Sequence, residues 1–218
     1  MVLEPMSQET LEVVEEPGLD ERAEKIVDVA MRLAEQGGFQ AVRLRDVAAQ
    51  SGVALGTLYV RFRSKEDILV AALEREVLVF EELLQQFEVP GETPLERLRH
   101  FFTISTQALF MRPNFAQAVL RSMASGVPEI AEKIARYQGR ITHMIVEMMR
   151  GGVVGEGEET EEESYVAFLM QQIWFAALIG WMGGLLDEDG VVEHVSRACG
   201  LLLLGMRAGG VEGGGEGA

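Results

Sequence analysis

The sequence predicts an all-α chain of about nine helices, divided into a short N-terminal helix-turn-helix unit and a larger C-terminal helical domain. Three observations lead there. Apolar residues recur at i, i+3, i+4 and i+7 from residue 21 to residue 207 with few interruptions. Glycine and proline punctuate that pattern at helix-length intervals, at Gly37-Gly38, Pro90-Gly91, Pro113 and Gly126 to Pro128. No apolar–polar alternation persists long enough to suggest a strand, and no internal repeat is visible.

Residues 1–19 are acidic, carry Pro5 and Pro17, and lack periodicity, so a disordered tail is expected there. The first helix begins at Glu21, with Ile26, Val29, Ala30, Leu33 and Ala34 on one stripe, and stops at Gly37-Gly38. Phe39 and Val42 then return to the core. Leu44 to Ser51 make a second, short helix with Leu44, Val47 and Ala48 inward, stopped by Gly52. Residues 54–62 restart as a third, with Leu55, Leu58, Tyr59 and Phe62 at helical spacing. Ser64-x-x-Asp67 reads as a capping box, with Asp in place of the usual Glu or Gln. It opens a long helix whose stripe runs from Ile68 to Phe87, ended by Pro90-Gly91. Further helices are expected at 94–111, 113–125, 128–150, 160–186 and 190–207, with an acidic Gly-rich linker at 151–158. The expected domains are 20–66 and 67–208, followed by a disordered glycine-rich tail at 209–218.

Length and composition bound the function. The chain has 218 residues, long enough for a substantial core, and is 48 % apolar and 25 % charged, ordinary for a soluble globular protein. The longest apolar run, Ile173 to Leu186, is too short to cross a bilayer and reads as a helix buried on all sides; no membrane partner is expected. Cys199 has no second cysteine to pair with, and the N-terminus lacks a basic stretch followed by an apolar one, so a cytoplasmic location is expected. His100, His143 and His194 fall on three different helices without a paired ligand spacing, there is no phosphate loop or Gly-x-Ser-x-Gly, and Cys199 has no evident base. The expectation is a chain that is not an enzyme and carries no metal or cofactor.

Charge is unevenly spread. The formal net charge is −16, with six acids and no base in residues 1–20 and six more acids in residues 156–163. Between residues 41 and 65 the balance reverses: Arg43, Arg45, Arg61, Arg63 and Lys65 oppose only Asp46. Because salt screens beyond about 8–10 Å, a phosphate backbone senses this local field rather than the total. The patch coincides with two short helices joined through Gly52, a helix-turn-helix. The second helix is narrow enough for the major groove of duplex DNA, and Ala54, Gly56 and Thr57 are small enough to allow close approach. Lys65 lies at the start of the next helix, where free N–H groups also favour anions.

The stretch AVRLRDVAAQSGVALGTLYVRFRSKEDIL resembles the DNA-binding domain of the TetR/AcrR family of bacterial transcription regulators, above all in Gly56-Thr57-Leu58-Tyr59, Phe62, Ser64-Lys65 and Leu69. The resemblance spans about residues 21–70. It implies a homodimer that binds a palindromic operator and releases it when a small molecule occupies the C-terminal domain. By position it implies phosphate contacts from Tyr59 and Lys65, Thr57 at the DNA face of the recognition helix, and Arg45 facing DNA from the helix before it. Ala54, Leu55 and Arg61 complete the candidate DNA-binding set with Arg43. Two departures stand out. Arg43 replaces a frequent threonine cap, worth roughly 1 kcal/mol, and Val60-Arg61 replaces a pair usually aromatic or His.

The C-terminal domain is apolar, aromatic and rich in methionine, which adapts to irregular space. Two readings stay open: a packed core, giving a ligand-insensitive regulator, or an apolar cavity between helices. The candidate cavity residues are Phe102, Thr106, Phe110, Phe115, Met123, Tyr137, Met144, Met148, Gln171, Trp174 and Phe175. The stretches TPLERLRHFFTISTQALFMRPNFAQAVLRSM and QQIWFAALIGWMGG resemble the ligand domain of KstR-type regulators, which control bacterial cholesterol and lipid catabolism. This implies a bulky hydrophobic or acyl-CoA-like effector. The last two helices carry apolar residues on more than one face, which points to a homodimer through residues 160–207.

Overall fold

The computed structural model describes residues 20–87, 89–155 and 157–212; the expected tail at 1–19 and the last six residues of the one expected at 209–218 lie outside them. Among the described residues every regular element is helical. Asp20 caps α1 (Glu21–Ala41) by accepting from the N–H groups of Arg22 and Ala23 at 3.1 and 3.0 Å. The backbone leaves helical geometry at Gly37 and Gly38, where φ is +65° at Gly38, so the expected stop is there, followed by one more turn that carries Phe39.

Two short helices follow, α2 (Leu44–Ser51) and α3 (Leu55–Arg61). Gly52 at φ +70° caps α2 and turns the chain into α3, a conformation that costs a side chain dearly. Arg43 stands at the N-cap of α2 without a side-chain cap bond. Leu58 and Phe62 bring α3 into the same core as Ile26, Ala30, Val47 and Leu69. Ser64 opens α4 (Lys65–Gln86) by accepting from the Asp67 N–H at 3.1 Å. Only half of the expected capping box forms. The Asp67 carboxylate accepts instead from the Arg63 N–H at 2.9 Å and pairs with Lys133.

The larger domain holds α5 (Pro94–Phe110), α6 (Pro113–Met123), a single 3-10 turn at Pro128–Ile130, α7 (Ala131–Arg150), α8 (Glu161–Met182) and α9 (Glu188–Glu212). Thr93 and Thr160 form complete capping boxes with Glu96 and Glu163. Two expected ends shift by four residues or more. α8 stops at Met182 because Gly183-Gly184 leaves the helix, with φ +74° at Gly184. α9 runs on to Glu212, four residues into the segment expected to be a disordered tail. Inside this domain α5 packs on α7 and α9, and α8 on α7 and α9. α6 is the bridge: it packs on α1 of the small domain and on α4. One hydrophobic core runs through both halves.

α8 is long and apolar enough to cross a membrane by length and composition alone. It is a core helix, though not covered all round as expected. Val166, Met170, Trp174 and Leu178 are buried, while Tyr165 and Phe168 stay exposed, as do Leu201 and Leu204 on α9.

Candidate nucleic-acid interface and apolar cavity

The basic stretch forms one exposed face. Arg43, Arg45, Tyr59, Val60, Arg61 and Arg63 are all exposed, and Tyr59 retains 51 % of its surface. Ala54 is exposed at the N-cap of α3, Thr57 is half-buried, and Leu55 is half-buried against the core, so Leu55 serves packing as much as the surface. No acid occupies the first turn of α3. This face gathers most of the expected set but not Arg61 as a free cation. Arg61 is paired with Asp20, the cap of α1.

Lys65 is also engaged within the chain. Its Nζ lies 3.7 Å above the centre of the Phe39 ring and donates to the Phe39 carbonyl at 3.2 Å. Partial burial pushes its ammonium below the ordinary lysine range, opposed by Glu66 and reinforced by repulsion from Arg121 and Arg43. The contacts of Lys65 and Arg61 were not legible in the sequence, because Phe39, Asp20 and Arg121 lie 26 or more residues away from their partners.

The C-terminal domain contains two adjacent apolar lobes whose linings share Leu73, Leu109, Tyr137 and Trp174. The larger, of about 220 Å³, lies between α4 and α5, is backed by Phe115, Ile141 and Trp174, and opens to solvent beside the exposed Val79 and Leu83. Most of its α4 wall, Val77, Phe80 and Leu83 among it, comes from the stripe read from sequence as simple packing. The smaller lobe, of about 20 Å³, lies behind α6 and reaches Met123, Gln171 and Phe175. That is room for little more than one water. Six of the expected residues therefore line the lobes: Phe115, Met123, Tyr137, Gln171, Trp174 and Phe175.

The other five do not. Thr106 is fully buried and accepts from Trp174 Nε1 at 3.0 Å, so its hydroxyl is committed. Phe102 is wedged between Phe101 and Trp174, at 5.2 and 5.6 Å between ring centres. Phe110 stacks on Trp181 at 4.3 Å. Met144 is core, and Met148 packs against it while its carbonyl accepts from Arg97 Nε at 2.8 Å.

Gln171 is 3 % exposed; its Oε1 accepts from Thr142 Oγ1 at 3.3 Å, and its Nε2 is buried with no partner. An orphan donor in an apolar lobe costs about 1–3 kcal/mol, which an acceptor on a bound molecule would recover. Burial also holds the Tyr137 phenol neutral, well above the usual tyrosine range. At the rim of the larger lobe, Arg112 bonds Glu76 of α4 at 2.7 Å and Glu35 of α1 at 2.6 Å, tying the two domains together. An open groove of about 770 Å³ between α5 and α9 is larger, but charged residues such as Glu96, Arg99, Glu193 and Arg197 wall it, so it does not suit an apolar occupant.

Two family models match the chain. Residues 26–72 match "Bacterial regulatory proteins, tetR family", and residues 91–202 match "Tetracyclin repressor-like, C-terminal domain". Among curated proteins, the HTH-type transcriptional repressor KstR of Mycobacterium tuberculosis is 30 % identical over 183 residues, covering 84 % of this chain and 81 % of that protein. Among solved structures, a TetR transcriptional regulator from Rhodococcus sp. RHA1 superposes with a TM-score of 0.69 at 23 % identity, over 84 % of this chain and 95 % of the other. Thermus thermophilus FadR, a TetR-family repressor in complex with lauroyl-CoA, superposes with a TM-score of 0.60 at 21 % identity, over 84 % of this chain and 94 % of the other.

Proposed function

This chain belongs to the TetR family of bacterial regulatory proteins, and on that premise we propose that it is a cytoplasmic homodimeric repressor released from a palindromic operator by a small hydrophobic or acyl-CoA-like effector. Its DNA face is α3 with the N-terminal ends of α2 and α4, and Arg43, Arg45, Thr57, Tyr59 and Lys65 are the groups that meet the duplex. The proposed domains are 20–66 for DNA and 67–208 for effector and dimerisation.

The observation that carries the effector half is the larger lobe. About 220 Å³ of apolar space lies against the middle of α4, the helix whose first residue is Lys65. That volume is below the ~300–1,000 Å³ of common ligand pockets. In this reading a bulky effector enlarges the lobe by spreading α4, α5 and α6, which moves the DNA face. The lauroyl-CoA complex of Thermus thermophilus FadR supports the same class of effector, and the repressor KstR supports the repressor role. Dimerisation is supported by the exposed Tyr165, Phe168, Leu201 and Leu204 on α8 and α9, an apolar face that a second copy would cover.

The near-filled smaller lobe favours a second reading, a regulator that ignores ligands. One experiment separates them. Selection from a random duplex library should enrich an inverted repeat, and lauroyl-CoA or a steroid acyl-CoA should release it. Enrichment without release by any long-chain or steroid acyl-CoA favours the second reading; no enrichment at all removes both.

A further inference from the structure

Phe39 sits at the junction of the two domains with a cation from each against its ring. Lys65 Nζ, from the start of α4, is 3.7 Å from the ring centre, and Arg121 Cζ, from α6, is 5.1 Å from it. We propose that Arg121 belongs to the DNA-binding surface, completing a phosphate-binding cluster with Lys65 and Arg43, although it is carried by the effector domain. The proposal rests on the reading that this chain binds duplex DNA.

Three observations support it. First, Arg121 is exposed and forms no ion pair among the described residues, unlike its α6 neighbour Arg112, which holds two carboxylates. In a chain with 35 acids against 19 bases, a guanidinium left without an acid is not for want of partners. Second, Arg121 and Arg43 are both near enough to Lys65 to repel its charge, so three cations from three elements share one small region. Such a cluster is unfavourable alone and is relieved by a phosphate anion, which arginine can grip through two parallel hydrogen bonds. Third, Arg121 stands on the side of α6 away from the smaller lobe. Ala116, Val119, Leu120 and Met123 line that lobe at i, i+3, i+4 and i+7, and a 3.6-residue period puts residue 121 roughly opposite that stripe.

α6 therefore has an effector face and a phosphate face. An occupant that displaces its apolar stripe shifts Arg121 relative to Lys65 and Arg43 and breaks up the cluster directly. The sequence offers no sign of this, since Arg121 lies outside the helix-turn-helix and looks like an ordinary surface residue.

The test measures binding of a random-sequence 30-base-pair duplex across a potassium chloride series for wild type, Arg121→Ala, Arg121→Lys and Lys65→Ala. The expected result is a log–log salt slope shallower by about 1 per protomer in Arg121→Ala and in Lys65→Ala, with Arg121→Lys close to wild type. Between 50 and 200 mM salt, that difference makes the Arg121→Ala variant's affinity fall roughly 3–4-fold less than that of wild type per protomer, or about 12-fold less for a dimer. A wild-type slope in Arg121→Ala beside a reduced slope in Lys65→Ala overturns the proposal and leaves the DNA-binding reading intact. Absence of salt-dependent binding by wild type itself overturns both. Arg121 is exposed, and an unchanged melting temperature in both arginine variants confirms that the slope reports binding.

Discussion

Replacing Asp67 by Asn removes one charge from the pair that ties the corner after the recognition helix to α7. Asp67 is 5 % exposed, and the side chains of Asp67 and Lys133 retain 7 % and 22 % of their surface. Breaking a fully buried pair by removing one partner costs about 3–5 kcal/mol. Lys133 is partly hydrated, which lowers the expectation to about 2–3 kcal/mol. Asn keeps an acceptor for the Arg63 N–H, 2.9 Å away, and leaves its own N–H bonded to Ser64 Oγ, so the helix start itself should survive. Urea unfolding at one fixed protein concentration measures the loss, because subunit association adds to apparent stability. The melting temperature should fall by roughly 4–10 °C. Lys133→Met should cost a similar amount, and the double variant should cost less than the sum by about 1–2 kcal/mol. Strict additivity, or a loss below about 0.5 kcal/mol in Asp67→Asn, would show that the pair carries no coupling between the start of α4 and α7.

Other outcomes follow from the same structure. Gln171→Leu removes the orphan Nε2 and should leave stability unchanged or raise it by about 1 kcal/mol, while weakening the thermal stabilisation by lauroyl-CoA several-fold; equal stabilisation of both proteins would take Gln171 out of the effector site. Arg112→Ala unties Glu35 of α1 from Glu76 of α4, and duplex affinity should change while the secondary structure seen by circular dichroism does not. The Glu163 carboxyl is held down to about 2, from an ordinary 4.5, chiefly by hydrogen bonding to Arg150, against a smaller opposing effect of burial and with help from Thr160. A depressed carboxyl contributes stability that is complete above pH 4.5 and lost as pH falls toward 2. The urea midpoint of Glu163→Gln should therefore decline less than that of wild type between pH 5 and 3, and parallel declines would refute the assignment.

Much of the helical layout was legible because local chemistry decides it. Gly52 and Pro113 end or begin helices wherever they occur in such a pattern. The boxes at Thr93 and Thr160 are just as local, but of the capping boxes only Ser64-x-x-Asp67 was expected from sequence. The end of α8 was read too late because the apolar run continues through Gly183-Gly184 to Leu186, and periodicity alone does not register a glycine that turns the chain. The cavity was only half legible. Phe102 and Phe115 have the same chemistry and similar neighbours in sequence, yet one is wedged between rings and the other faces open space. That choice is made by crossing helices, not by spacing. Thr106 shows the same limit: a polar residue on an apolar helix reads as a fixture for a ligand, and Trp174, 68 residues away, had already claimed it.

α4 is a single helix of 22 residues, so at 1.5 Å per residue it spans roughly 33 Å from the DNA face to beyond the larger lobe. It is a stiff lever with its load at one end. The lobe's α4 wall is centred about 20 Å from Lys65, so a tilt of about 5° around it swings Lys65 by about 2 Å. In the proposed dimer the two swings add, and recognition helices that must sit one duplex turn apart, about 34–36 Å, lose step with the groove. Release then requires no refolding of the DNA-binding unit, only a small change in the pitch at which two rods meet the double helix.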